Sequence, residues 1–163
     1  MNKKVVFIGL GVVLAGGGAF LAAGVTKPPE VKTDWSGKRG TDAYYAECEE
    51  QTYELPDLNV NLKGTNGERY LTVGLAVKYR LGAELMNPPD KAPPDLKAPL
   101  EKSKLEVRDR LIGVLSNKTI ADLEGVEKRK ALKQELLEEI GSVVFPDQMG
   151  RIESVLIKSI LIQ

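Results

Sequence analysis

The chain has 163 residues, with 23 Lys and Arg balanced by 23 Asp and Glu, no histidine and one cysteine. A chain of this length that also spends residues on an apolar segment and a linker holds one modest core, and its even charge lacks the basic excess of a phosphate-neutralising nucleic-acid binder. The absence of histidine removes the commonest general base, the commonest zinc ligand and the Ser-His and Cys-His nucleophile pairs, and Cys48 alone cannot form an intramolecular disulfide.

The first predicted elements are a short cytoplasmic tail (residues 1–4) and a transmembrane helix (residues 5–25). Val5 to Val25 carries no charged or strongly polar side chain, and at ~1.5 Å rise per residue it spans roughly the 30 Å of a bilayer core. Lys3, Lys4 and Ala22-Ala23-Gly24 also suit a cleavable signal peptide, but the run exceeds the length of a signal-peptide core and favours a retained anchor. Gly11, Ala15, Ala19 and Ala23 recur every fourth residue, a face on which another helix could approach closely. Basic residues stand on both sides, Lys3 and Lys4 before the run and Lys27, Lys32, Lys38 and Arg39 after it, so charge alone leaves the orientation open.

Residues 26–52 open with Lys27-Pro28-Pro29 and show no sustained apolar period, which reads as a linker, with Trp35, Tyr44 and Tyr45 as loosely packed linker aromatics. A domain over residues 53–163 follows. Leu58, Val60 and Leu62 alternate with polar residues, Asn66-Gly67 suits a tight turn, and Leu71, Val73, Leu75, Val77 and Tyr79 form the apolar face of a return strand. Residues 82–99 hold Pro88, Pro89, Pro93, Pro94 and Pro99 and read as an exposed loop. Leu100–Leu115 carries a helical stripe through Val107, Leu111, Val114 and Leu115, and Thr119 can cap a turn that ends at Leu123. After Gly125 a charged helix turns Leu132, Leu136, Leu137 and Ile140 inward, with Lys128 to Lys133 basic and Glu135 to Glu139 acidic, an order that runs against the helix dipole and reads as a solvated face. The last segment, Arg151 to Gln163, is apolar on both faces by strict alternation and reads as an interior strand. The fold class expected is α+β: a small antiparallel or mixed sheet packed with two or more helices.

No phosphate-binding glycine loop, nucleophile elbow, acidic metal cage or Cys-x-x-Cys pair occurs in the chain. Glu49-Glu50 and Glu138-Glu139 are adjacent carboxylates that point different ways on a helix, and Cys48 sits among acids that disfavour its thiolate. Asn117-Lys118-Thr119 fits a glycosylation acceptor but equally a helix end. No catalytic, metal or cofactor-binding residue is assigned, and the expectation is that the chain is not an enzyme and takes no small-molecule substrate.

Three stretches carry a family likeness. Leu58-Asn59-Val60-Asn61-Leu62 leads to Arg69-Tyr70-Leu71-Thr72-Val73. Val107-Arg108-Asp109 precedes Leu115-Ser116, Thr119, Asp122-Leu123, Gly125, Lys130, Leu132-Lys133 and Glu139-Ile140, and Val155 to Gln163 ends the chain on glutamine. In residue type and spacing these resemble the flagellar basal-body protein FliL family. The resemblance implies a stomatin-like (SPFH-like) periplasmic domain on a single-pass anchor in the bacterial inner membrane, located at the flagellar basal body. It also implies a homo-oligomeric ring around the flagellar stator proteins that supports motor rotation, torque, swarming motility or chemotaxis. A stomatin-like scaffold of another envelope complex is the alternative.

Overall fold

The structure, a computed structural model, describes residue 35, residues 37–88 and residues 92–163. The expected span Val5–Val25 and its Gly11, Ala15, Ala19, Ala23 face lie outside the described residues. Among the described residues no helix is long and apolar enough to cross a membrane.

The domain is α+β, built on one long strand. The hairpin expected from the Asn66-Gly67 pair forms between β2 (Leu58–Asn61) and β3 (Tyr70–Leu81), antiparallel from Leu58↔Val73 to Asn61↔Tyr70. At its tip Asn66 and Gly67 both take positive φ, 50° and 81°, and the Glu68 N–H donates to the Thr65 carbonyl. That is the left-handed backbone which Asn and Gly adopt at little cost. A strand not anticipated from the sequence, β1 (Gln51–Glu54), pairs with β3 from Gln51↔Tyr79 to Glu54↔Ala76. The last strand, β4 (Gly150–Ile162), pairs antiparallel with nearly the whole of β3, so β1 and β2 share the opposite edge, one after the other. Pro56, which cannot donate to a ladder, stands between them.

The interior-strand reading of the C-terminal segment is corrected by this topology: β4 is an edge strand with β3 as its one partner among the described residues. Its apolar residues do not lie on two faces either. Ile152, Val155, Ile157, Ile160 and Ile162 stand opposite Tyr79, Val77, Leu75, Val73 and Leu71, all on the core side. Register shifts at Gly74/Leu75 and Lys78/Tyr79 each slip the alternation by one residue, which makes a single apolar face look two-sided in the sequence.

Among the described residues six short or long helices precede or follow β3. The proline-rich stretch, read as loop throughout, is helical at both ends, as α2 (Ala83–Met86, after a first helix α1, Asp42–Tyr45) and α3 (Ala98–Lys102). Pro99 fits in the first turn of α3, where its missing N–H would have no partner. The expected Leu100–Leu115 helix breaks at Ser103, and its main body is α4 (Lys104–Ser116). The short α5 (Ile120–Leu123) and the long α6 (Val126–Val144) complete the set. Val107, Leu111 and Leu115 of α4 and Leu132, Leu136 and Ile140 of α6 are buried in one cluster with the apolar face of β3. Val114 and Leu137, also expected inward, are only half-buried at its margin.

The opposite sheet face carries ion pairs: Lys78 with Glu50 at 2.6 Å, Lys158 with Glu54 at 2.6 Å and Arg80 with Glu153 at 3.5 Å. One face therefore holds the core and the other is polar, the usual arrangement of an antiparallel sheet layered on helices.

Candidate interaction surfaces

The stretch before β1 was expected to be linker up to residue 52, with loose aromatics. The structure places its described part against the domain. Tyr44 and Tyr45 are 0% and 2% exposed and form a second small core with Ala83, against which Trp35 packs. The rings meet at 5.9 Å (Trp35 and Tyr44) and 5.1 Å (Tyr44 and Tyr45), spacings at which aromatic pairs attract.

Polar contacts hold this latch from several sides. The Tyr44 hydroxyl donates to Glu84 Oε2 at 3.0 Å, and the same oxygen accepts from Arg39 Nε and Nη2 at 3.0 and 2.8 Å. The Tyr45 hydroxyl donates to the Gln148 carbonyl, while the Arg151 guanidinium lies 4.8 Å from the Tyr45 ring centre and pairs with Asp42 at 2.7 Å. Burial, and then the hydrogen bond to the anionic Glu84, push the Tyr44 hydroxyl up to about 12. The sequence signal was present in Tyr44-Tyr45, but only the fold brings Gly82, Ala83 and Glu84 to meet them. Cys48, also buried, sends its Sγ–H toward the Glu49 carbonyl at 3.1 Å.

Two grooves flank α6 and differ in charge. Where the first half of α6 passes the last half of β4, Val126, Ile157 and Ile160 line a groove rimmed by Arg129, Lys130, Lys133 and Lys158. Between α4 and the second half of α6, a second groove presents Glu106, Asp109, Glu135 and Glu139 with Arg110. The split charge of α6, read from the sequence as a solvated face, thus becomes two surfaces of opposite sign. A third, apolar hollow lies among Leu55, Pro56, Leu58 and Leu105.

The paired carboxylates are dispersed. Glu50 binds Lys78, Glu138 accepts from Gln134 at 2.8 Å, and Glu139 lies 4.0 Å from Arg110. Among the described residues no group of three or more acidic or thiol side chains is placed to hold a metal ion. Asn117 caps the end of α4 and donates to the Gly113 carbonyl at 2.9 Å. Thr119 begins α5, its backbone N–H and hydroxyl both donating to the Asp122 carboxylate at 3.0 and 2.7 Å. Both ends of that tripeptide therefore serve helix termini.

The sequence model of a family described as flagellar basal body-associated protein FliL covers residues 52–163, from the second residue of β1 through the end of β4. No curated protein matches the chain.

Proposed function

The chain belongs to the flagellar basal body-associated protein FliL family, and from that premise we propose that it is a membrane-anchored accessory protein that assembles around the motor's stator units and supports rotation, torque or swarming. The observation that carries the reading is the match over residues 52–163, which spans all but the first residue of the sheet and both long helices rather than one motif. The apolar run Val5–Val25 supports an inner-membrane anchor with the domain on the periplasmic side, and the Gly11, Ala15, Ala19, Ala23 face supports helix packing between copies. A homo-oligomeric, stomatin-like ring is part of the proposal. The role is structural, resting on surfaces rather than on a reactive constellation.

Topology and role are tested together in cells. Alkaline phosphatase fused after Gln163 should be active, and deletion of the gene should reduce motility under load while leaving filaments assembled. An inactive fusion, or motility unchanged under every load, would overturn the reading.

A further inference from the structure

The first half of α6 and the last half of β4 form a site for which the described residues supply no occupant. Tyr70 and Gln163 exchange both backbone hydrogen bonds across β3 and β4, each at 3.0 Å. By the alternation of an antiparallel ladder, Leu161 also faces β3, so the N–H and C=O groups of Ile160 and Ile162 point to the open side. No strand pairs with that side among the described residues. Natural sheets blunt such edges, because an unpaired row of donors and acceptors recruits another strand.

The surroundings specify what that strand should be. The groove beside the edge has a volume of about 490 Å³ and an apolar floor of Val126, Ile157 and Ile160. Val126 is 81% exposed and Leu161, on the other side of the strand, is 52% exposed. Above the floor stand Arg129, Lys130 and Lys133. Lys130 and Lys133 form no ion pair among the described residues, whereas Lys158 is engaged by Glu54. A basic rim over an open strand edge complements an extended segment bearing carboxylates.

We propose that β4 and α6 together form a receptor groove for an extended protein segment in which acidic and β-branched apolar residues alternate, added as a fifth strand beside β4. Main-chain hydrogen bonds to Ile160 and Ile162 supply the docking, the α6 cations select the carboxylates on the groove side, and the apolar residues on the other face cover Leu161. A second copy that paired through its own β4 edge would bring two such basic rims together, so the occupant is a partner protein's segment.

The experiment uses the full chain in detergent micelles and a fluorescent twelve-residue peptide alternating valine and glutamate, read by anisotropy. Two twins serve as controls, one with lysine in place of glutamate and one with the backbone N-methylated along a single edge. The glutamate peptide should bind, and each twin should bind about tenfold or more weakly. Lys130→Glu with Lys133→Glu should weaken the glutamate peptide about tenfold and favour the lysine twin. Ile160→Pro should abolish binding without touching the β3 ladder, because that N–H faces outward. If Ile160→Pro fails to fold, the exposed lysine variants and the N-methylated twin decide. Equal binding of the N-methylated twin, indifference to the lysine reversals, or no binding of the glutamate peptide would overturn the proposal. So would self-association that the same substitutions dissolve while the peptide has no effect, since a second copy would then occupy the edge.

Discussion

Two tyrosines make the domain sensitive to base in a defined window. Tyr44 and Tyr53 are both held neutral well above the ordinary value of 10, at about 12, first by burial and then by hydrogen bonds to Glu84 and Glu101. A raised folded-state value means stability is fully present below about 10 and is lost as pH rises toward 12, because the unfolded chain releases its protons first. Thermal melts of wild type between pH 9 and 12 should fall more steeply than those of Tyr44→Phe or Tyr53→Phe, and parallel curves would contradict this. Asp122 behaves oppositely: hydrogen bonds from the Thr119 hydroxyl and N–H hold its carboxyl below the usual range. Its contribution is present above that range and is lost as pH falls through the lowered value, so Asp122→Asn should flatten the acid limb of the same titration. Close packing sets a further limit at Gly82, where an added Cβ would overlap the Tyr44 ring. Gly82→Ala should cost ~1–3 kcal/mol in urea unfolding, and an unchanged midpoint would mean that the latch is loose.

At the level of elements, the aromatic latch belongs to the domain. Fragments beginning at Thr33 and at Tyr53 should differ, the shorter one melting lower because it uncovers Ala83 and forfeits half of β1; equal melting temperatures would return these residues to the linker. In α6, Leu136 is fully buried, and Leu136→Ala should cost about 2–5 kcal/mol, with a loss near zero contradicting its place between helix and sheet. The hairpin, the capped turn at Thr119 and the inward face of α6 were legible because each rests on a local rule: a turn pair, a cap, a 3.6-residue period. What sequence could not show depended on distant partners. β1 needs β3 to become a strand, Tyr44 needs Gly82 and Glu84, and the apolar run of β4 becomes one-sided only through bulges opposite Gly74 and Tyr79. The candidate groove was half visible, as the basic run of α6; its floor and open edge required the topology.

For the whole molecule, a compact unit from Thr33 to Gln163 meets the family match over residues 52–163 and an apolar run before both. Under the proposed function these are the domain, the family identity and the anchor of a flagellar accessory protein, and the basic groove between α6 and β4 is the proposed dock for a partner. If the anchor-borne copies gather at the motor, their position in the cell is the most direct reading of that claim. The measurement is fluorescence imaging of the full chain carrying a periplasm-competent fluorophore after Gln163, in cells whose flagellar bases are labelled in a second colour. The account predicts foci that coincide with the bases and disperse when the stator proteins are deleted; an even envelope signal, indifferent to bases and stators alike, would contradict it.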